Sequence, residues 1–245
     1  MIIQDEGIRL QAKLDLPETD AERNPTVILV HGITGHSEER HIEALAAGMN
    51  EIGFAVLRVD LYGHGRSGGE FAAHTLHKWA HNLLTVIDRV KQLDFVSDLY
   101  LCGHSQGGLA VMLAAAERPD IVRGLIPLSP AWTIPEGART GCLLGQEFDP
   151  ANVPDRFPLW DGYVLEGAYL RDAREIRVEE AMDRYPGPVL IVHGTGDATV
   201  PVTASALAAK RYKDCTLVEI PGDTHCYDRH PDRMVAAVQK WLQER

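Results

Sequence analysis

Residues Leu99–Ala116 read LYLCGHSQGGLAVMLAAA, which is an apolar run, a glycine-rich corner and an alanine-rich run in succession. This order predicts a strand, a sharp turn and a helix, with Ser105 at the turn. Glycines at positions 103 and 107 relieve the crowding of such a turn, so that it can hold the central side chain in a strained, exposed position. The G-x-S-x-G pattern in this setting indicates a nucleophilic serine. A helix start capped by Ser105 is the structural alternative.

Apolar runs elsewhere in the chain predict the rest of a sheet. The N-terminal IRLQAKLDL alternates apolar and polar residues, which is typical of a strand with one face in water. Later runs are short and do not alternate, which suits strands buried on both faces of a parallel sheet. These runs are TVILV, FAVLRV, LYLC, LIPL, PVLIV and TLVEI. Helical spacing between the runs covers roughly 38–52, 75–93, 106–117, 202–213 and 231–244. The alternation predicts an α/β fold with a doubly wound, mostly parallel sheet.

Residues 131–177, called the insert below, interrupt this alternation. The segment is rich in proline, glycine and aromatic side chains, including Trp160 and Tyr169. Long insertions in compact domains are usually functional or disordered, and the aromatic content argues against disorder. We interpret the chain as a single domain of residues 1–245 whose insert forms a cap over the carboxyl ends of the strands, where sheets of this type bind ligands. A surface loop that packs on itself is the alternative.

Composition and charge restrict the classes of partner. The formal net charge of −11 and a pI near 5.4 disfavour nucleic acid or an anionic membrane surface. The opening residues MIIQDEG lack the pattern of a signal peptide, so we expect a cytoplasmic protein. The four cysteines show no C-x-x-C spacing, and we expect free thiols, no metal and no cofactor. A homodimer is compatible with the sequence, although no segment specifies one.

A serine nucleophile needs a base, and the base needs an acidic group that orients it. When the serine stands on a strand-turn-helix corner of this kind, the chain order is serine, acid, histidine. Asp197 in TGDATVP follows the run PVLIV, and His225 in DTHCYD follows the run TLVEI, so each falls in a loop at a strand end. Asp223 and Asp228 are the alternative acids. His225 alone among the 11 histidines combines this order with a following final helix. The competing candidates are His31, His64, His104, His193 and His230.

Acyl transfer also requires donors for the oxyanion that forms on the carbonyl oxygen. One donor is expected to be the backbone N–H of Gln106, the residue after the nucleophile. The second is expected to be the N–H of Ile33, in the loop HGITG after the first buried strand. We therefore expect a small-molecule ester as the substrate.

The motifs HGITG, DLYGHGRS, GHSQGG, HGTGD and GDTH, in this order over the whole chain, resemble the α/β-hydrolase superfamily. The insert, with DPANVPDRFPLW followed by GAYLR, is similar to that of bacterial cinnamoyl and feruloyl esterases. This resemblance implies hydrolysis of hydroxycinnamate esters by Ser105, Asp197 and His225, with the insert shaping the acyl pocket. It also implies that the Tyr169 phenol helps to hold the ring hydroxyl of the substrate, while Trp160 belongs to the aromatic lining.

One position departs from that family. Its members can use an aspartate early in the insert to bind the ring hydroxyl, whereas this chain has Gly137 there. The preference among cinnamates is therefore open. A general carboxylesterase, monoacylglycerol lipase or thioesterase with the same three catalytic residues is the alternative enzyme, and a scaffold retained only for binding is the non-enzymatic one.

Overall fold

The computed structural model describes residues 1–245, which form one eight-stranded sheet and two small two-stranded sheets. The strands are β1 (Ile2–Asp5), β2 (Ile8–Asp15), β3 (Asn24–Val30), β4 (Ala55–Val59), β5 (Val96–His104), β6 (Val122–Leu128), β7 (Cys142–Leu143), β8 (Gln146–Glu147), β9 (Arg156–Pro158), β10 (Val164–Glu166), β11 (Val189–Gly194) and β12 (Cys215–Ile220). The helices are α1 (Arg40–Glu51), α2 (Leu76–Val90), α3 (Gln106–Glu117), α4 (Ile134–Thr140), α5 (Gly167–Ala173), α6 (Val178–Arg184), α7 (Val202–Arg211) and α8 (Pro231–Gln243). Short 3-10 turns cover Phe71–Ala73 and Trp160–Gly162.

The large sheet has the strand order β1-β2-β4-β3-β5-β6-β11-β12. The six strands from β4 to β12 in this order pair in parallel, and β2 joins them antiparallel to β4. The predicted doubly wound, mostly parallel α/β sheet is confirmed. The sequence analysis did not identify β1, which pairs antiparallel with β2 at the edge of the sheet.

Both faces of the central strands are buried, which explains why their sequences do not alternate. In β3, Ile28 and Val30 pack into one apolar cluster, while Val27 and Leu29 pack into another on the opposite face. Helices α2, α3, α6 and α7 contribute to the first cluster, and α1 and α8 to the second. The sheet is therefore covered by helices on both sides.

The expectation of two buried faces was wrong for β12. This strand lies at the edge of the sheet, and only Ile220 of its six residues is fully buried. A short apolar run looks the same in sequence whether the strand has one neighbour or two, so the error follows from the position of β12 in the sheet.

The insert contains α4, the four short strands β7 to β10 and α5, so it has secondary structure of its own. It follows β6 directly and precedes α6, which packs against α3. Because the parallel strands all end at the same edge, the loops after β3, β5, β11 and β12 meet there with the insert. This edge carries the candidate site.

Candidate active site

Ser105 occupies a sharp turn between β5 and α3. Its backbone φ is 55°, in the left-handed region that non-glycine residues rarely adopt. A side chain on Gly103 would overlap the carbonyl of residue 107, and one on Gly107 would overlap the carbonyl of His31. The Ser105 N–H donates to the carbonyl of Leu128 at 2.9 Å, which ties the turn to β6. The glycines are therefore required by close backbone packing around the serine.

Ser105, His225 and Asp197 form a continuous hydrogen-bonded chain. The Ser105 hydroxyl lies 2.9 Å from His225 Nε2, and His225 Nδ1 donates to Asp197 Oδ2 at 2.6 Å. Burial by itself would raise the pKa of Asp197, but hydrogen bonds from His193 and His225 hold that pKa well below its usual range. The carboxylate is thus ionised and can stabilise a histidinium at His225.

The two alternative acids have other partners. Asp223 is fully buried and accepts hydrogen bonds from the backbone N–H groups of Thr224, Arg229 and His230. Asp228 accepts a hydrogen bond from the Thr224 hydroxyl at 2.7 Å. Both therefore shape the loop that carries His225, and neither bonds to its imidazole.

His193 is a second histidine partner of Asp197, and sequence reasoning had weighed it only as a competing base. Its Nε2 donates to Asp197 Oδ2 at 3.1 Å and to the Val200 carbonyl at 3.0 Å, while Nδ1 accepts from the Ser205 hydroxyl at 2.6 Å. Asp197 Oδ1 accepts from the backbone N–H groups of Thr199 and Val200. Both carboxylate oxygens of Asp197 are thereby held in place by groups other than His225. The signal in the sequence was the histidine at the end of β11, four residues before Asp197.

His104 and His41 form a buried pair that contacts the backbone of the proposed catalytic histidine, His225. His104 Nε2 donates to the backbone carbonyl of His225 at 2.9 Å, and His104 Nδ1 lies 3.2 Å from His41 Nε2. Burial lowers the pKa of His41 to about 4 and that of His104 well below its usual value, so both rings are neutral near pH 7. This pair holds the loop of His225 without adding charge beside it.

The two expected oxyanion donors belong to the residue after the nucleophile and to the turn that follows β3. Gln106 is the first residue of α3, where a backbone N–H has no acceptor within the helix. Ile33 lies in the turn after β3 and lines the same cavity as Ser105. The dipole of α3 adds partial positive charge at this helix end. The arrangement is suited to a negatively charged carbonyl oxygen.

The side chain of Gln106 is fully buried in a hydrogen-bonded network that the sequence did not reveal. Its Oε1 accepts from the Tyr169 hydroxyl at 2.7 Å, and its Nε2 donates to His74 Nε2 at 3.2 Å. His74 Nδ1 in turn donates to the Phe71 carbonyl at 2.6 Å. Burial lowers the pKa of His74 to about 4, which keeps its Nε2 free to accept. The network joins α5 of the insert to the start of α3.

The two residues expected to bind substrate lie in different surroundings. Trp160 is 42% exposed and lines the cavity above Ser105. Tyr169 is completely buried and is not one of the residues that line this cavity, and its hydroxyl is engaged with Gln106. The phenol oxygen keeps lone pairs that can accept from a donor. Its contact with a substrate hydroxyl stays a prediction.

Close packing explains why residue 137 is a glycine. A Cβ at this position of α4 would overlap the backbone carbonyl of Cys142 at the start of β7. An aspartate there would require α4 and β7 to move apart. The residue is therefore fixed by close packing within the insert.

The cavity at Ser105 has a volume of about 400 Å³. Its wall on the insert side is apolar, with Ala131, Ile134, Leu144 and Trp160. The remaining lining is mostly polar and comprises Gly32, Ile33, Thr34, Glu39, His104, Ser105, Thr199, His225 and Cys226. No group of three or more His, Cys, Asp or Glu side chains is placed to hold a metal ion. No helix has the length and apolar character needed to cross a membrane.

Several known proteins resemble this chain. Residues 21–149 match the family described as serine aminopeptidase, S33. The structure of Est1E from Butyrivibrio proteoclasticus with ferulic acid bound is 56% identical, with a TM-score of 0.98 over 100% of this chain and 98% of that one. The caffeoylshikimate esterase of Arabidopsis thaliana is 25% identical over 272 residues, covering 92% of this chain and 80% of that protein.

A more distant relative is the mitochondrial palmitoyl-protein thioesterase ABHD10 of Rattus norvegicus, at 24% identity over 197 residues. The match covers 77% of this chain and 64% of the rat protein, so this chain spans less than two thirds of that relative. The full-length match to Est1E confirms the resemblance inferred from the motifs at the level of the family. The chain belongs to the serine aminopeptidase S33 family of α/β hydrolases.

Proposed function

We propose that this protein is a serine carboxylesterase that hydrolyses esters of hydroxycinnamic acids. The observation that carries the proposal is the hydrogen-bonded chain from Asp197 through His225 to Ser105 at the cavity, in a sequence 56% identical to a protein whose structure holds ferulic acid. The reaction needs no cofactor, since the side chains supply the nucleophile, the base and the orienting acid.

Acylation would begin when Ser105 Oγ attacks the ester carbonyl and His225 Nε2 takes its proton. The ionised Asp197 stabilises the resulting histidinium through the 2.6 Å hydrogen bond to Nδ1. The oxyanion would accept hydrogen bonds from the N–H groups of Ile33 and Gln106. Collapse of the tetrahedral intermediate breaks the bond to the alcohol oxygen, and His225 returns the proton to that oxygen.

Deacylation would repeat these steps with water. His225 removes a proton from a water molecule that attacks the acyl-Ser105 carbonyl, and the same donors hold the second oxyanion. The serine then leaves with the proton from His225. The products are the free cinnamate and the regenerated enzyme.

The acyl group would lie against the apolar wall formed by Ile134, Leu144 and Trp160. A planar aromatic acid buries much apolar area in such a slot. Gly137 leaves no carboxylate at the place where relatives can hold the ring hydroxyl, so Tyr169 is the proposed partner of that group. Selectivity for hydroxylated cinnamates would therefore depend on a single phenol.

Initial rates on methyl ferulate, methyl p-coumarate and methyl cinnamate test the proposal. We expect turnover of all three by the wild type and loss of at least about a thousandfold in Ser105→Ala. Ser97→Ala, at the opposite end of β5, is the matched control and should retain full rate. Wild-type protein that leaves all three esters intact would refute the proposed substrate class.

A second candidate is hydrolysis of aliphatic acyl esters or thioesters. It is favoured by the 24% identity to the rat palmitoyl-protein thioesterase and the 33% identity over 117 residues to the human monoglyceride lipase. p-Nitrophenyl butyrate, a monoacylglycerol and a palmitoyl thioester would be added to the panel. If the protein turned over only these aliphatic substrates, the proposed catalytic residues would stand, and the proposed acyl group would be aliphatic instead of cinnamoyl.

Four further properties are proposals of the same kind. We infer a cytoplasmic protein, a single domain in which the insert of residues 131–177 is a cap, and a possible homodimer, with neither nucleic acid nor a membrane surface as partner. Cell fractionation tests the first. Limited proteolysis tests the second, and light scattering of the purified protein tests the third.

A further inference from the structure

Glu39 places a carboxylate in the active-site cavity without a counter-ion. It precedes α1, is partly exposed and lines the same cavity as Ser105 and His225. Its Oε2 receives one long hydrogen bond, from the His36 N–H at 3.3 Å. A side chain on Gly35 would overlap this carboxylate, so the absence of a Cβ there is what lets it lie against the loop.

The neighbouring residue, Glu38, does have a cationic partner, in contrast to Glu39. Glu38 is bonded to the Arg66 guanidinium at 3.1 Å on the protein surface. Glu39 has no lysine or arginine within salt-bridge distance, and no lysine or arginine lines the cavity. A ligand in the cavity therefore meets a negative charge that the protein does not neutralise.

Glu39 belongs to the polar part of the cavity lining, which also contains Ser105 and His225. During acylation His225 Nε2 delivers its proton to the alcohol oxygen, so the alcohol lies next to His225. Glu39, His225 and the adjacent Cys226 line this one cavity, so the alcohol that receives the proton from His225 shares it with the Glu39 carboxylate. The apolar wall for the acyl group is formed by Ile134, Leu144 and Trp160 of the insert.

We propose that Glu39 selects the alcohol part of the ester, so that the enzyme favours neutral or cationic alcohols and discriminates against alcohols that carry a carboxylate. This inference rests on the proposed esterase function and deepens it by naming the class of leaving group. An anionic alcohol would bring two like charges together in a partly desolvated cavity, whereas a quaternary ammonium would supply the missing counter-ion.

Burial raises the pKa of the Glu39 carboxyl above its ordinary value. The raised pKa is the expected response of a carboxyl that loses hydration and gains no cationic partner. Because ionisation of a carboxyl with a raised pKa needs a higher pH, the assays are run at pH 8, well above the ordinary glutamate pKa of about 4.3.

Two pairs of ferulate esters separate charge from size. Feruloylquinate is compared with its quinate methyl ester, which has nearly the same shape without the carboxylate. Feruloylcholine is compared with 3,3-dimethylbutyl ferulate, its neutral isostere. At pH 8 we expect kcat/KM to favour the less negative member of each pair by about fivefold, as for a unit charge at several ångströms in a partly solvated site.

The test compares Glu39→Gln with Glu38→Gln, which changes the net charge equally at the surface ion pair with Arg66. We expect both ratios to fall towards one in Glu39→Gln and to stay as in the wild type in Glu38→Gln. Wild-type ratios near one, or ratios that Glu39→Gln leaves unchanged, would overturn the proposal. Ratios within a pair cancel any general effect of the substitution on turnover.

A second measurement needs no cinnamoyl group. A phosphonothioate with a thiocholine leaving group inactivates a serine hydrolase when Oγ bonds to phosphorus and the P–S bond breaks, releasing the thiol. Its rate of reaction with Ser105 is compared with that of the neutral 3,3-dimethylbutylthio analogue. A preference for the cation that Glu39→Gln removes would support the role of Glu39 even if no ferulate ester were cleaved, and equal rates would refute it.

Discussion

Tyr169→Phe removes a single oxygen from a fully buried hydrogen-bonded network next to the nucleophile. The lost hydroxyl donates to Gln106 Oε1 at 2.7 Å, and both side chains are fully buried. A buried acceptor left without a partner costs about 1–3 kcal/mol. For a protein of this size, 1 kcal/mol shifts the melting temperature by about 2–4 °C. A loss of about 2 kcal/mol thus predicts a fall of about 4–8 °C, measured by calorimetry or circular dichroism.

Tyr163→Phe is the matched control on the same insert. Its ring is 39% exposed and packs on Phe71 at 4.6 Å between ring centroids, without a hydrogen bond from its hydroxyl to the protein. We expect a change within about 0.5 kcal/mol for this variant. If Tyr169→Phe melted as late as Tyr163→Phe, the hydrogen bond to Gln106 would not be buried as described.

The same variant tests the proposed contact between Tyr169 and substrate. If the phenol oxygen accepts a hydrogen bond from the ring hydroxyl, kcat/KM for methyl ferulate should fall more than that for methyl cinnamate, by about fivefold or more. Equal losses on the two esters would contradict the contact and leave Tyr169 as a residue that positions Gln106. The melting temperature of Tyr169→Phe therefore reports on the Tyr169 hydroxyl as a donor to Gln106. The ratio of the two kcat/KM values reports on the same hydroxyl as an acceptor from the substrate.

Three other expectations follow from buried contacts near the site. His193→Phe should lower kcat for methyl ferulate about tenfold with little change in KM, because a phenylalanine ring cannot donate to Asp197 and the carboxylate loses a hydrogen bond; wild-type kinetics would contradict this role. Gly107→Ala should cost about 1–3 kcal/mol in urea unfolding through overlap with the His31 carbonyl, and Gly68→Ala, which has only ordinary contacts, is its control. The unfolding free energy should fall as the pH drops from about 6.5 towards 4. In this range the unfolded histidines bind protons, whereas folded His41 and His74, with pKa values of about 4, do not, and each costs up to about 3 kcal/mol of stability. Urea midpoints that stay constant between pH 7 and 5 would contradict this expectation.

The parts of the fold that the sequence predicted are those set by local pattern. The elbow at Ser105 needs glycines at fixed offsets because backbone atoms of the turn itself and of the end of β3 at His31 crowd it, and the resulting pattern is visible in six residues. The central strands were predicted because both of their faces are apolar, and the five helices were predicted because each has an apolar stripe along one side. Edge position is a property of the whole sheet, and β12 was misjudged for that reason.

Contacts across the chain were beyond prediction from one sequence. The partner of Tyr169 is Gln106, 63 residues earlier, and the bond exists because the fold brings a residue of α5 within reach of the first residue of α3. His74 reaches the same amide from the loop before α2. Nothing in GAYLR or in HTLHKW specifies which polar atom each will meet, because that depends on how the insert sits on the sheet.

Glu39 illustrates why charge in a site is hard to infer from charge in a sequence. In SEER, residues 37–40, the two glutamates look equivalent and resemble the solvated start of a helix. The turn after β3 directs Glu38 outward to Arg66 and Glu39 inward to the cavity of Ser105. The overall charge of −11 therefore says little about the site, whereas one carboxylate that lacks a counter-ion can decide which alcohols the enzyme releases. A charge series on the leaving group measures that difference directly, since it holds the acid, the nucleophile and the base constant.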